Sequence, residues 1–368
     1  MPNIFEISEE QKHQLAALFE IGRTIVSSLD HEEILERILN SCAELMQAKI
    51  CTIRMLNKES GMLELVASHG LAKEFLQEIE SDIALGDGVV GRVVQDRSPY
   101  PIADIQHSPF KYADLAREQQ LRSLLSVPII LHDKATGGLT VYSQQPHTYD
   151  SGEIAVMKAI ARQAAMAIEN AELYENVLSS LRSMNKILEA KDKWLKGHGD
   201  RVRAVSVALA KKLGFSKEMV KLLERVVPLH DIGKVALDDG LINKEAPLTE
   251  DEQKLIRTHV LVGEEILRPI HFFRPGLPLV RNHHENFDCS GYPDGLKGGQ
   301  IPEEVRLLTI TDAWDAMTSD RPHKHGLGKA DAMGELERGA GRQFDPEILR
   351  VFLEMLKAGK IQPACGRE

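Results

Sequence analysis

The chain has 368 residues, 43% of them apolar and 27% charged, and carries a net charge of −10. This length predicts two domains, and the acidic balance excludes a general nucleic-acid binder, which needs a basic surface, so DNA is not an expected partner. The longest apolar run, Leu124–Leu131, is far short of the ~20 residues of a membrane span, and no basic segment leads into an apolar one at the start, so the expected location is cytoplasmic.

From about residue 10 to 47, apolar residues recur at helical spacing, including Ile34, Leu35, Ile38 and Leu39, with Ser28-Leu29-Asp30 as a cap. The period then changes. Ile50–Leu56 and Met62–Ala67 read as strands around a turn at Asn57–Gly61, and a helix is predicted over Lys73–Glu80. Leu85–Val94 enters a short helix, and Pro99–Ile102 and Ser123–Leu131 are further strands. Thr136-Gly137-Gly138 is expected to turn into a last strand, Leu139–Ser143. An antiparallel sheet flanked by helices makes an α+β domain over residues 1–153.

The stretches L-G-D-G-V-V-G-R-V-V, S-V-P-I-I and T-Y-D-S-G-E-I resemble a GAF domain over roughly residues 20–170. The resemblance implies a small ligand or a relayed signal. No Cys or His is placed to identify haem, bilin or iron–sulfur, so the ligand stays unknown. Arg92 and His69 could line a pocket or be ordinary surface residues. Cys42, Cys51, Cys289 and Cys365 show no C-x-x-C spacing and read as reduced thiols.

From Ser151 to about Leu195 runs a long helical pattern whose only glycine, Gly152, is at its start. Met157, Ala164, Ala171, Leu178 and Asn185 share one heptad position, and Ile160, Ala167, Tyr174, Leu181, Leu188 and Leu195 the other. That is an a/d repeat with one Asn at an a position, predicting a linker over residues 154–193 that pairs as a parallel dimeric coiled coil. A helix packed on its own domain is the alternative.

Residues 194–368 are predicted to be all-α. Val202–Leu213 ends at Gly214, and Lys217–Leu229 runs into His230 and Asp231. A helix from Thr249 carries Ile256, His259 and Val262. Leu279–Glu285 carries His283 and His284, and Val305–Met317 carries Asp312, with a turn-rich loop, Cys289–Gly299, between them. With His198, this makes five histidines and two aspartates on separate segments. Imidazole suits iron, manganese and zinc, and Asp231 is placed to bridge two ions. Two ions about 3.5–4 Å apart can clamp the oxygens of a phosphoryl group, which points to phosphoester hydrolysis.

The runs H-D-I-G-K, H-V-L-V-G-E-E-I-L, H-H-E-N-F-D-C-S-G-Y-P-D-G-L-K-G-G-Q-I-P, D-A-W-D-A-M-T-S-D-R-P and R-G-A-G-R-Q-F-D-P-E-I-L resemble the HD-GYP family across residues 194–355. That resemblance implies a phosphodiesterase of cyclic di-GMP, with His198, His230, Asp231, His259, His283, His284 and Asp312 as ligands of two divalent ions, iron or manganese. It implies that Lys234 faces the scissile phosphate, with Asp231 the second catalytic group. Arg321 and Lys324 would hold substrate phosphates, and Gly291, Tyr292 and Pro293 would form a lip beside the site. A homodimer and a diguanylate cyclase (GGDEF) protein are among the implied partners.

Two departures bear on activity. Trp194 stands where members with three ions have a ligating Glu, so two ions and the linear product pGpG are expected, with GMP a possible second product. Cys289 stands where the family usually has glycine, so a glycine-only backbone there would be strained. The rivals are a phosphodiesterase for cyclic GMP-AMP and a protein that binds the nucleotide or a partner without turnover.

Overall fold

The computed structural model describes residues 31–71, 82–107, 118–191, 197–244, 246–320 and 325–362. The helix expected at Lys73–Glu80, the first part of the N-terminal helical pattern, Trp194, Leu195, Arg321, Lys324 and Cys365 lie outside them. The chain divides into two compact units, Met1–Asn176 and Val177–Glu368.

The first unit contains α1 (His31–Leu45), β1 (Ile50–Leu56), β2 (Met62–His69), β3 (Ile83–Ala84), α2 (Gly88–Asp96), β4 (Tyr100–Ile102), β5 (Ser123–Leu131) and β6 (Lys134–Ser143). The strands form one antiparallel sheet in the order β3-β2-β1-β6-β5-β4. Side chains alternate between its faces. Cys51 and Ile53 of β1 and Leu125, Val127 and Ile129 of β5 pack with α1, whereas Ile50 and Leu124 pack with Val89 and Val93 of α2. Each fully buried Leu or Ile contributes about 1.5–3 kcal/mol. His69 bonds Asn40 at 2.6 Å, and Arg92 is exposed.

The hairpin turn differs from the expectation. It falls at His132–Asp133, whose φ angles are 47° and 60°, and β6 begins at Lys134, opposite Leu131. Two consecutive positive φ values match the right-handed twist of a hairpin, and Gly137 and Gly138 lie within the strand.

The long helix, α3 (Ser151–Lys191), is continuous. Met157, Ile160, Ala164 and Ala167 join the core formed by α1 and the sheet, and Ala171, Tyr174, Leu178, Leu181 and Leu188 are buried too. The first half of the expected dimer seam is therefore taken up by the helix's own domain. A 3.5-residue repeat fits a flat sheet as well as a partner helix.

The second unit contains α4 (His198–Leu213), α5 (Lys217–Val226), α6 (Asp239–Ile242), α7 (Glu250–Arg257), α8 (His259–Leu267), α9 (Leu277–Arg281), α10 (Glu303–Thr318), α11 (Lys329–Arg338) and α12 (Pro346–Lys357). Gly214 ends α4 in the left-handed conformation, Ser216 caps α5, and Thr249 forms a capping box with Glu252. Trp314 and Phe352 meet edge to face at 5.9 Å in the core.

Three expected helices are shorter than predicted. Pro228 replaces the end of α5 by a 3-10 turn, Val227–Leu229. The helix through His259 breaks at Thr258, whose hydroxyl donates to the Leu255 carbonyl at 2.7 Å and competes with the helical ladder. His283 and His284 lie in the turn after α9 rather than on a helix. No helix among the described residues is long and apolar enough to cross a membrane.

Candidate metal centre

The 3-10 turn at Pro228 carries His230 and Asp231 off the end of α5. A second turn, Ile232–Ala236, then packs against α8 so closely that a Cβ on Gly233 would run into the His259 carbonyl. That contact is what the glycine of H-D-I-G-K provides, and it brings Asp231 to His259.

Four of the five rings are held from behind. The Nδ1 of His230 lies 2.7 Å from the Val227 carbonyl, that of His259 2.7 Å from Ile256, and that of His283 2.9 Å from Val280. The His198 Nδ1 lies 2.8 Å from Asp315 Oδ2. Carbonyls and ionised carboxylates accept and do not donate, so these four Nδ1 atoms carry hydrogens, and each such ring, when neutral, presents an Nε2 lone pair. The Nε2 atoms of His198 and His230 face each other at 3.4 Å, as do those of His259 and His283. Where both facing nitrogens are unprotonated their lone pairs repel, and a cation between them would remove the repulsion.

Asp231 lies between the two pairs. Its Oδ1 is 3.3 Å from His259 Nε2 and 3.7 Å from His283 Nε2, while its Oδ2 is 3.7 Å from His230 Nε2. Asp312 Oδ1 lies 3.2 Å from His198 Nε2 and 3.8 Å from His230 Nε2. Potential ligand atoms of Asp231, His259, His283 and His284 fall within 4.8 Å of one another, as do those of His198, His230 and Asp231. One shared carboxylate between two nitrogen-rich groups fits two divalent cations.

The electrostatics agree with that fit. Burial lowers His230 to about 4 and pushes His284 well below the usual histidine range. Burial also works against a charged His198, but hydrogen bonds to Asp312 and Asp315 outweigh it and raise its pKa to about 10. Burial opposes the Asp231 carboxylate, yet Lys234 and His230 hold it well below the ordinary range. Lys234 Nζ lies 2.6 Å from Asp231 Oδ2.

A cavity of about 490 Å³ adjoins the cluster, lined by His283, His284 and Asp312 on one side and by Gly291 and Tyr292 among others. Tyr292 stacks on His284 at 4.9 Å. Gly291 lies against the backbone of Glu285 and Asn286, where a Cβ would collide, so it shapes the lip by close packing. Pro293 is not among the residues lining the cavity.

Sequence reasoning missed three supporting groups. Asp315 is clamped by Arg201, with Nε–Oδ1 at 2.7 Å and Nη2–Oδ2 at 2.9 Å. It lies three residues after Asp312 on α10, and that i, i+3 spacing was the available signal. Glu285 is buried and accepts the backbone N–H groups of Asp294, Gly295 and Leu296 at 2.7, 3.0 and 3.1 Å, which fixes the loop. Arg257 lies over the Tyr292 ring.

A GAF domain model matches residues 28–169, and an HD domain model matches residues 182–348. The chain carries a GAF domain and an HD domain. It is 32% identical over 212 residues to the cyclic di-GMP phosphodiesterase response regulator RpfG of Xanthomonas campestris, covering 57% of this chain and 56% of that protein. It is 33% identical to a cyclic di-GMP phosphodiesterase of Thermotoga maritima, covering 50% of this chain and 51% of the other. A 3'3'-cGAMP-specific phosphodiesterase 3 of Vibrio cholerae is 29% identical, with 56% of this chain and 44% of that protein covered. The chain thus spans about half the length of these relatives. The histidine–aspartate cluster belongs to the HD domain, which is a metal-dependent hydrolase fold.

Proposed function

We propose that this GAF–HD protein is a phosphodiesterase that opens the 3′–5′ linkage of a cyclic dinucleotide, with cyclic di-GMP as substrate and linear pGpG as product. The reading is carried by Asp231, whose two oxygens each face a different set of imidazole nitrogens. Names of relatives support the substrate class, and the motifs of the HD-GYP branch support the linkage. Iron or manganese would occupy the two positions, held by His198, His230 and Asp312 on one side and His259, His283 and His284 on the other, with Asp231 shared. Two such ions would polarise the phosphodiester and an attacking water.

The protein's own groups do the rest. Asp315 and Arg201 orient His198. Lys234 sets a positive charge at the edge of the cluster, where the leaving 3′-oxygen gathers charge. Glu285 holds the loop that carries Tyr292 against the cavity. Arg321 and Lys324 would neutralise substrate phosphates.

The GAF domain would gate turnover in response to a small ligand, and the chain would act as a dimer. Exposed Met166, Leu173, Val177, Met184 and Ile187 follow one another along α3 at spacings of an a/d repeat, so we place the dimer seam on this face.

The test is hydrolysis of cyclic di-GMP by protein reconstituted anaerobically with Fe(II) or Mn(II), beside an Asp231→Ala control. Turnover to pGpG that vanishes in the control supports the reading. A fully metallated protein that leaves cyclic di-GMP intact overturns it. Turnover of 3′3′-cyclic GMP-AMP alone moves the substrate to that dinucleotide, which a relative's name also carries.

A further inference from the structure

Arg257 is the last residue of α7, two positions before His259. The carbonyl of its neighbour Ile256 fixes the His259 ring, so the same helix end that orients a candidate ligand also aims this arginine. Its Cζ lies 5.0 Å from the centre of the Tyr292 ring, and Tyr292 in turn stacks on His284 at 4.9 Å and 28°. Arg257 thus lies against Tyr292, Tyr292 stacks on His284, and all three line the cavity.

Stacking on an aromatic face holds a guanidinium through its plane and leaves its N–H edges free. No carboxylate among the described residues pairs with Arg257, whereas Arg201 and Arg281 nearby are both engaged by acids. It is also the one permanently charged cation among the described residues that line the cavity, where Asp312 and Glu335 supply negative charge. An arginine with no acid partner among the described residues, held at the cavity by Tyr292, is a counter-charge for an anion brought in by the ligand.

A cyclic dinucleotide carries two phosphodiesters locked in one ring. With one at the cluster, the ring places the other a short way along the cavity. Resting on the proposed function above, we infer that Arg257 is a substrate-binding residue that takes the second, non-scissile phosphodiester of the cyclic dinucleotide. Its bidentate N–H edge binds the phosphate oxygens, and Tyr292 sets its direction.

The test compares the full chain with Arg257→Ala and Arg257→Lys at equal metal content. KM and kcat are measured on cyclic di-GMP and on 3′3′-cyclic GMP-AMP, together with equilibrium binding of a hydrolysis-resistant phosphorothioate analogue of cyclic di-GMP. Loss of a charge-assisted bidentate contact is expected to raise KM and the analogue's Kd about tenfold or more in Arg257→Ala, with kcat changing less than about threefold. Both dinucleotides should suffer alike, and Arg257→Lys should fall between. An unchanged KM and Kd overturns the inference. So does a loss confined to the guanine-only substrate, which would make Arg257 a reader of bases. If the wild-type chain binds the analogue through Arg257 but hydrolyses neither dinucleotide, the proposed activity falls and this contact stands. If it neither binds nor hydrolyses, both fall.

Discussion

Asp315 Oδ2 lies 2.8 Å from His198 Nδ1, and the same carboxylate is gripped by Arg201 through two nitrogens. The imidazole is therefore oriented by a group that is itself fixed. Partners of this kind are worth about 10–100-fold in metal affinity. Asp315→Ala should weaken binding at the His198 position by about that factor while leaving the other position nearly intact. Chelator competition with Mn(II) would resolve two affinities. Equal losses at both would show a general unfolding effect instead.

Metal uptake should release a proton from His198. Its pKa in the metal-free protein is raised to about 10 from 6.5, so it is charged at neutral pH and must lose a proton to become a ligand. Affinity at that position should climb about tenfold per pH unit between pH 7 and 9. The same shift has the opposite sign for the metal-free fold. A raised pKa stabilises the folded state fully below about 6.5, and that contribution is lost as pH rises through about 10. Calorimetric titration in buffers of different ionisation enthalpy measures the proton, and denaturant melts at pH 7 and 10 measure the stability.

Gly233→Ala should be far more damaging than its single methyl suggests. The new Cβ would meet the His259 carbonyl and the backbone at Gly263, forcing the Asp231 turn away from α8. Overpacking of this kind costs about 1–3 kcal/mol. Lower Tm and a metal content reduced from two ions are expected. A variant that keeps both would show that the turn can shift without separating Asp231 from His259.

Cys289→Gly should stabilise the protein. Cys289 has φ of 72°, a conformation that costs an L-residue roughly 1–2 kcal/mol, partly offset by the entropy glycine adds to the unfolded chain. A net gain of about 0.5–1 kcal/mol follows. Thermal melts at equal metal content would register it, and an unchanged Tm would mean that the loop adapts to the cysteine without strain.

Met184→Glu combined with Ile187→Glu should convert a dimer to a monomer in light scattering. Both side chains are more than half exposed, at 57% and 61%, so the substitutions place charge on a solvent face and should leave the Tm of a monomer unchanged. Leu188, buried at 2% exposure, is one position away and would report the opposite if changed: loss of fold rather than of pairing.

Much of the candidate centre was legible because its chemistry is written in short runs. H-D-I-G-K, the His pair and D-A-W-D each placed a ligand type beside an apolar pattern, and all seven side chains converge. The strands of the first domain, apart from the two-residue β3, followed from short apolar runs bounded by turn residues. Tertiary packing overrode local pattern at the β5–β6 turn, where backbone twist selected His132–Asp133 over the glycines. It did so again along α3, where a heptad repeat could not say whether a sheet or a second chain would cover it. Glu285 and Arg257 left no signal, because an acid and an arginine next to histidines are ordinary in any sequence.

By itself, then, the sequence determined the residue types, their order and the helical and strand periods, since those depend on neighbours a few positions apart. Only the tertiary structure decided which oxygen of Asp231 faces which histidine pair, which carboxylate stands behind His198 and which arginine lies over Tyr292. Those relations join residues tens of positions apart, and close packing of the turns and helices between them fixes the distances.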